Sequence, residues 1–139
     1  MRAVIAEAPH VLYEDLSVRS IRKAREDFLS GDLRARLLRH HGDNVDCAFW
    51  GWNRAWLDPE FMRWNIEEYL PRISVPVLVI QGEDDEYGTE AQWRSIEGKC
   101  PGPVEVSVLS SCGHSPHRDQ PEATLEALLR FVGRRGPFR

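Results

Sequence analysis

The chain carries two textures of hydrophobic and polar residues. Over residues 15–58 apolar side chains recur at helical spacing, punctuated by Gly31 and Gly42. Leu16, Ile21, Ala24 and Phe28 share one face of a first helix, with Arg19, Arg22, Lys23 and Glu26 largely opposite. Asp32 stands where it can cap a second helix, whose apolar stripe is Leu33, Leu37 and Leu38. A third helix is predicted over 45–57, with Phe49, Trp52 and Trp56 at helical spacing. Asp58-Pro59-Glu60 opens a further short one, because proline fits a first turn. Ahead of this region, residues 4–6 are a short apolar run that stops at EAPH. They read as a short buried strand, since Pro9 and the residue before it resist helix.

After YLPRISVP the texture changes. VPVLVIQG is a continuous β-branched run ending in glycine, the mark of a strand buried on both faces. A helix is predicted over 89–99, with Ala91, Trp93 and Ile96 as its apolar contributions. PVEVSVL alternates Val104, Val106 and Val108 and predicts another strand. The loop SSCGHSPHRD leads to a last helix beginning near Asp119, where Asp119 and Glu122 have the spacing of a capping box. Leu125, Leu128, Leu129 and Val132 are assigned to its core face, and GRRGPFR ends it with arginines suited to a helix C-terminus. Strand, helix, strand, helix implies parallel strands joined by a right-handed crossover. GEDDEYG and SSCGHSPH then both follow carboxyl ends of parallel strands, the edge where such sheets place their sites. Neighbouring strands lie about 4.8 Å apart, so an acid in the first loop reaches a histidine in the second.

Composition narrows the function classes. The 139 residues, 42% hydrophobic and 29% charged, favour one soluble globular domain or part of one. A formal net charge of −4 gives no general pull toward nucleic acid or acidic membranes, and neither is expected as a partner. The arginine-rich stretch 19–39 is interleaved with Glu26, Asp27 and Asp32 and reads as a solvated helix face. No apolar run approaches the roughly 20 residues of a membrane helix, and MRAVIAEAPH has too short an apolar stretch for a signal peptide. Cys47, Cys100 and Cys112 are an odd set without C-x-x-C spacing, which argues for a reducing, cytoplasmic setting and against a disulfide framework.

The candidate chemistry concentrates in the two loops. Glu83, Asp84, Asp85 and Glu86 directly follow Gly82, and carboxylates rarely cluster without partners. They are either a solvated turn or the acid of a relay, and they lack the alternation and glycine spacing of a calcium loop. A histidine that serves as general base needs a partner to fix its tautomer and stabilise the imidazolium. His114 follows Gly113, whose missing side chain lets the backbone turn sharply, and Asp85 stands just past the turn at Gly82. His10, in the loop after the first strand, falls near the same edge as a substrate-contacting candidate. His117 is assigned to shaping the loop. A metal set can be drawn from Cys112, His114, His117 and Asp119, and a weaker one from HHGDNVDC. Neither has a second cluster at finger-like spacing, so no metal is expected. No glycine-rich phosphate loop supports nucleotide binding.

VPVLVIQGEDDEYGT followed by VSVLSSCGHSPHRDQPE resembles the end of an α/β-hydrolase, where a strand ends in G-x-x-D and a later strand leads into a G-H loop and a final helix. Here the matching residues are Gly82, Glu83, Asp84 and Asp85, then Gly113 and His114, with Pro116-His117 and Gln120-Pro121-Glu122 following the histidine. VIAEAPHV is similar to the strand that leads into that family's cap. The resemblance implies an α/β fold: a partial parallel sheet of an α/β-hydrolase-like fold with an inserted helical cap. Residues 1–12 would be a first core strand and loop, 13–66 the cap, and 67–139 the C-terminal half of the core. It implies Asp85, with Asp84 second, as the acid and His114 as the base of a triad. Trp50 and Trp52, in the tryptophan-rich stretch that also holds Trp56 and Trp64, become candidates for an aromatic wall touching substrate, against the alternative that they pack the helices. In this family the nucleophile precedes acid and histidine along the chain, in a G-x-S-x-G-like elbow. No such elbow occurs here, so the chain is expected to supply acid and base but not nucleophile. The implied activity is hydrolysis of an ester or other acyl-type bond in a small molecule, without cofactor, once the missing half is supplied. Without that half, self-association through an exposed sheet edge is expected. The alternative is a non-catalytic fragment or interaction domain.

Overall fold

The structure is a computed structural model and describes residues 2–134. The chain divides into two compact units, one made of the chain up to Leu12 together with the chain from Asn65 onward, the other Tyr13–Trp64. The first unit is built on strand β1 (Val4–Glu7), strand β2 (Val77–Gly82) and strand β3 (Val104–Leu109), all parallel in the order β1-β2-β3. Val77 lies opposite both Val4 and Val104, so β2 is the central strand and is buried along its whole length. This is why its sequence is an unbroken apolar run rather than an alternation.

Alternate residues of β2 feed two cores. Val77 and Val79 pack with Val11, Leu70, Ile96 and Cys100 on one face. Leu78 and Ile80 pack with Leu109, Cys112, Ala127 and Phe131 on the other. The first face is covered by helix α4 (Glu90–Lys99), started by the Thr89 hydroxyl accepting from Ala91 N–H at 3.1 Å. Ala91, expected in the core, is exposed. Its neighbour Gln92 is buried instead, because it has backbone partners there: Oε1 accepts from Val11 N–H at 2.7 Å and Leu12 N–H at 3.3 Å, and Nε2 donates to the Leu12 carbonyl at 2.9 Å. The chain leaves and re-enters this unit at the same place, with Leu12 bridging Asn65 and Ile66 N–H donating to the Val11 carbonyl at 2.9 Å.

The second face is covered by a short helix α5 (Pro116–Asp119) and helix α6 (Pro121–Gly133). Here only part of the expected face is buried. Leu125 and Leu129 are 55% and 63% exposed, while Thr124, Ala127 and Phe131 are buried, flanked by partly buried Leu128 and Val132. The small side chains Thr124 and Ala127 let the helix lie close to the sheet, and Phe131 fills the space beyond them. The expected capping box is also absent: Gln120 precedes α6, and the Asp119 carboxylate accepts from Gly113 N–H at 2.9 Å. Val108, near the carboxyl end of edge strand β3, is exposed and lines an open cleft, whereas Val104 and Val106 on the same face pack against the core. Of the arginines assigned to the end of the last helix, Arg134 pairs with Glu105, whereas Arg135 and Arg139 lie outside the described residues.

The second unit holds helices α1 (Asp15–Ser30), α2 (Leu33–His41) and α3 (Val45–Trp56), followed by a 3-10 turn, Pro59–Arg63. Phe28, Val45 and Phe49 are its core, with the rings of Phe28 and Phe49 stacked at 3.7 Å. On α1 the buried residues are Ser17, Val18, Ile21 and Phe28, a face slightly rotated from the expected one, and Leu38 of α2 is exposed. Asp32 makes no helix cap; its carboxylate lies 3.3 Å from Arg36. Asp58 does cap the 3-10 turn, accepting from Glu60 N–H at 2.8 Å.

Back in the first unit, Glu67 opens the 3-10 turn Glu67–Arg72 and ties it to α4, pairing with Lys99 at 2.5 Å and with the Ser95 hydroxyl. Lys99 first, then Ser95 and Asn65, hold its carboxyl at about 2 instead of 4.5. A depressed carboxyl contributes stability that is fully present above its unfolded value and is lost as pH falls toward the folded one. Glu67→Gln is therefore expected to cost about 1 kcal/mol at neutral pH, Lys99 being solvent-screened. The difference from wild type should shrink between pH 4.5 and about 2, as read by thermal melts in a pH series.

Candidate acid–histidine site

The two strand-end loops are zipped together by their backbones. Glu83 N–H donates to the Leu109 carbonyl and Asp84 N–H to the Cys112 carbonyl, both at 2.9 Å. Gly82 makes this approach possible: a Cβ there would lie 2.1 Å from the Gly113 carbonyl oxygen and 2.2 Å from that of Cys112. The sharp turn expected at Gly113 lies elsewhere, since the positive φ of 53° belongs to Ser111. Ala8, just after β1, has φ 42°. Each left-handed non-glycine residue costs on the order of 1 kcal/mol, and both flank this site.

Asp85, 8% exposed, is held from several sides. Its Oδ1 accepts from Tyr87 N–H at 2.8 Å and Gly88 N–H at 3.2 Å, and its Oδ2 accepts from Gln81 Nε2 at 2.5 Å. His114 Nδ1 lies 3.0 Å from Oδ1 and 2.9 Å from Oδ2. Burial pushes the Asp85 carboxyl up, but the hydrogen bonds from His114, Tyr87 and Gln81 and the charge of His114 together hold it below its ordinary value. The carboxylate therefore carries no proton at neutral pH, so Nδ1–H of His114 is the donor. Nε2 is left as the basic nitrogen, pointing away from Asp85. Asp84 is exposed, and it is its backbone N–H that bonds the histidine loop.

The rings around His114 are His10, at 5.5 Å between centroids, and Tyr87, at 4.9 Å. Burial first, then the charges of Glu86 and Asp85, push the Tyr87 hydroxyl pKa up, so it stays protonated. Tyr87 and Gln81 were not singled out from the sequence; an amide closing an otherwise apolar strand was the available signal for Gln81. The drawn metal set falls apart. His117 Nδ1 pairs with Glu7 at 2.8 Å, Asp119 accepts from Gly113, and Cys112 is buried with its thiol pKa raised, first by burial and then by Asp119 and other nearby acids. Among the described residues no group of three metal-ligating side chains is placed to hold an ion. Trp50 and Trp52 belong to the helical unit. Trp50 packs edge-on against Phe28 and Phe49 beneath the guanidinium of Arg54, and Trp52 is 37% exposed.

No protein-family model matches the chain. It is 32% identical over 109 residues to the α/β hydrolase domain-containing protein aho-3 of Caenorhabditis elegans, covering 78% of this chain and 30% of that protein. It is 29% identical over 73 residues to the mouse (Mus musculus) monoacylglycerol lipase ABHD6, covering 52% of this chain and 21% of the lipase. Its fold superposes on CarC, a serine hydrolase involved in carbazole degradation, with a TM-score of 0.68 at 16% identity, over 96% of this chain and 54% of that one. The chain belongs to the α/β-hydrolase family. It spans at most 30% of the length of these curated relatives, and its β1-β2-β3 sheet is a partial version of the family fold.

In this hydrolase fold the contact at Gly82 sets the distance between the two loops. Gly82→Ala is expected to force them apart, because the colliding atoms are backbone oxygens that cannot rotate away. We expect a destabilisation of about 1–3 kcal/mol and loss of the Asp85–His114 hydrogen bond. Denaturant unfolding reads the first, and the imidazole nitrogen shifts of His114 read the second.

Proposed function

We propose that Asp85 and His114 are the acid and base of a nucleophile–histidine–acid hydrolase acting on an ester or other acyl-type bond of a small molecule. The contact of His114 Nδ1 with both oxygens of buried Asp85 carries the reading, because it leaves Nε2 free to take a proton. In the complete site Nε2 would accept the nucleophile's proton, Asp85 would stabilise the imidazolium, and the same nitrogen would then activate water for the second step. Among the described residues His114 makes no hydrogen bond besides those to Asp85. We therefore propose that the nucleophile and its oxyanion donors come from outside the described residues. That similar proteins include a monoacylglycerol lipase and a serine hydrolase supports the acyl class. His10, beside His114, is proposed as a substrate contact and Tyr13–Trp64 as the cap. The three free cysteines fit a cytoplasmic setting, and no helix among the described residues is long and apolar enough to cross a membrane.

The test supplies the missing half. The purified chain should give no saturable, burst-phase turnover of a p-nitrophenyl ester. Co-expression with the N-terminal half of a family member should restore it, His114→Ala should abolish it, and Asp85→Asn should lower it by about 10⁴. Robust turnover by the chain alone that survives both substitutions would sink the proposal, and complementation without turnover would favour an interaction domain.

The edge of β1 bears on assembly. Among the described residues it pairs only with β2, and it presents exposed Ile5. We propose that this edge takes the strand carrying the nucleophile, and that the chain by itself associates there. Light scattering should show mass rising with concentration and a monomeric complex once the other half is bound. A chain that stays monomeric at high concentration contradicts this.

A further inference from the structure

Along β2 the side chains are Val77, Leu78, Val79, Ile80 and then a buried amide, Gln81, 2% exposed. By alternation Gln81 shares the face of Val77 and Val79, the side covered by α4. An apolar residue of the same shape would leave no polar atom to satisfy there. The amide does the opposite: Nε2 donates to Asp85 Oδ2, while Oε1 meets no donor among the described residues. A buried carbonyl left without a donor is unfavourable. The position therefore carries an amide despite packing, not because of it.

What the amide does is geometric. A carboxylate turns about its Cβ–Cγ bond, and one anchored oxygen leaves that rotation free. Tyr87 and Gly88 N–H groups anchor Oδ1, and Gln81 anchors Oδ2. The two anchors fix the plane in which both oxygens face His114 Nδ1. A solvent-reachable cleft of about 390 Å³ opens beside Asp85, lined by Glu83, Glu90 and Trp93 among others. Without the amide, water from that side would reach Oδ2 and compete with His114.

We infer that Gln81 is a positioning residue, holding the Asp85 carboxylate in the rotation that orients His114. The inference rests on the reading of Asp85 and His114 as the acid and base of the site.

The test uses the whole chain without substrate. In wild type, one Nε2 proton of Gln81 should be shifted downfield, be slow to exchange, and follow the Asp85 carboxyl titration in nuclear magnetic resonance spectra. Gln81→Met keeps shape and removes the donor. It should raise the Asp85 titration midpoint by about one pH unit, and any fall in thermal midpoint at neutral pH should shrink as pH falls and Asp85 takes up its proton. A purely structural residue would instead lower the thermal midpoint by the same amount at every pH and leave the titration in place. Gln81→Glu sets a second carboxyl against Asp85, and the two should titrate as a pair with midpoints pushed apart. The other titratable groups beside the pair are His114, Tyr87, Cys112 and the cleft carboxylates Glu83 and Glu90, and their variants serve to assign the signals. If Gln81→Met does not fold, the wild-type amide still decides: a Gln81 proton indifferent to the Asp85 titration overturns the inference. An unmoved Asp85 midpoint in folded Gln81→Met also overturns it. None of these readings depends on turnover, so failure of the hydrolase complementation would not be mistaken for failure here.

Discussion

Gly82 sits so close to the backbone of Cys112 and Gly113 that no side chain fits between them. Around that contact the loop after β2 and the loop after β3 exchange backbone hydrogen bonds before any charged side chain is involved. Backbone polar groups at a sheet edge must find partners, and here each loop finds them in the other. The separation of Asp85 from His114 is thus inherited from main-chain packing. Parallel pairing of β2 with β3 sets the direction of both loops, and the absence of one Cβ sets their spacing.

Burying a carboxylate is unfavourable unless its oxygens are satisfied. Asp85 satisfies this with two backbone N–H groups of its own turn, the amide of Gln81 and the imidazole of His114. Burial and hydrogen bonding act on its proton affinity in opposite senses, and the hydrogen bonds win. The outcome at neutral pH is an anion with a fixed orientation, which is what an imidazole needs if it is to hold a proton on one nitrogen and a lone pair on the other. His117 and Asp119 do comparable work one turn further on: Glu7 binds His117, and Asp119 binds Gly113 N–H, so the histidine loop is tied both to β1 and to itself.

Buried amides recur in this unit. Gln81 serves the acid, and Gln92 closes the neck where the chain passes from Leu12 to Asn65, linking α4 to Val11 and Leu12. Both have apolar neighbours in sequence or space, and both find partners far along the chain or across a turn. Such side chains stabilise only when their geometry is met, so they specify one arrangement of the loops that carry His10, Asp85 and His114.

The sequence by itself determined the strand pattern and where the chemistry lies. An apolar run of the length of VPVLVIQG cannot be solvent-exposed, and strand–helix–strand connectivity leaves parallel pairing as the sterically allowed outcome; together these put Asp85 and His114 on one edge. The roles proposed for them rest on the family resemblance and are not legible in the pattern alone. Only the tertiary structure decided which face of each helix is inside. Leu125 and Leu129 obey helical periodicity yet point outward, because close approach to the sheet favours Thr124 and Ala127 over bulkier leucines. The same holds for polar partners. Whether Asp119 caps a helix or binds Gly113, whether Asp84 or Asp85 meets the histidine, and whether Gln81 is buried at all depend on distances between segments remote in sequence. Periodicity is a property of one segment, and hydrogen-bond geometry at a site is a property of several at once.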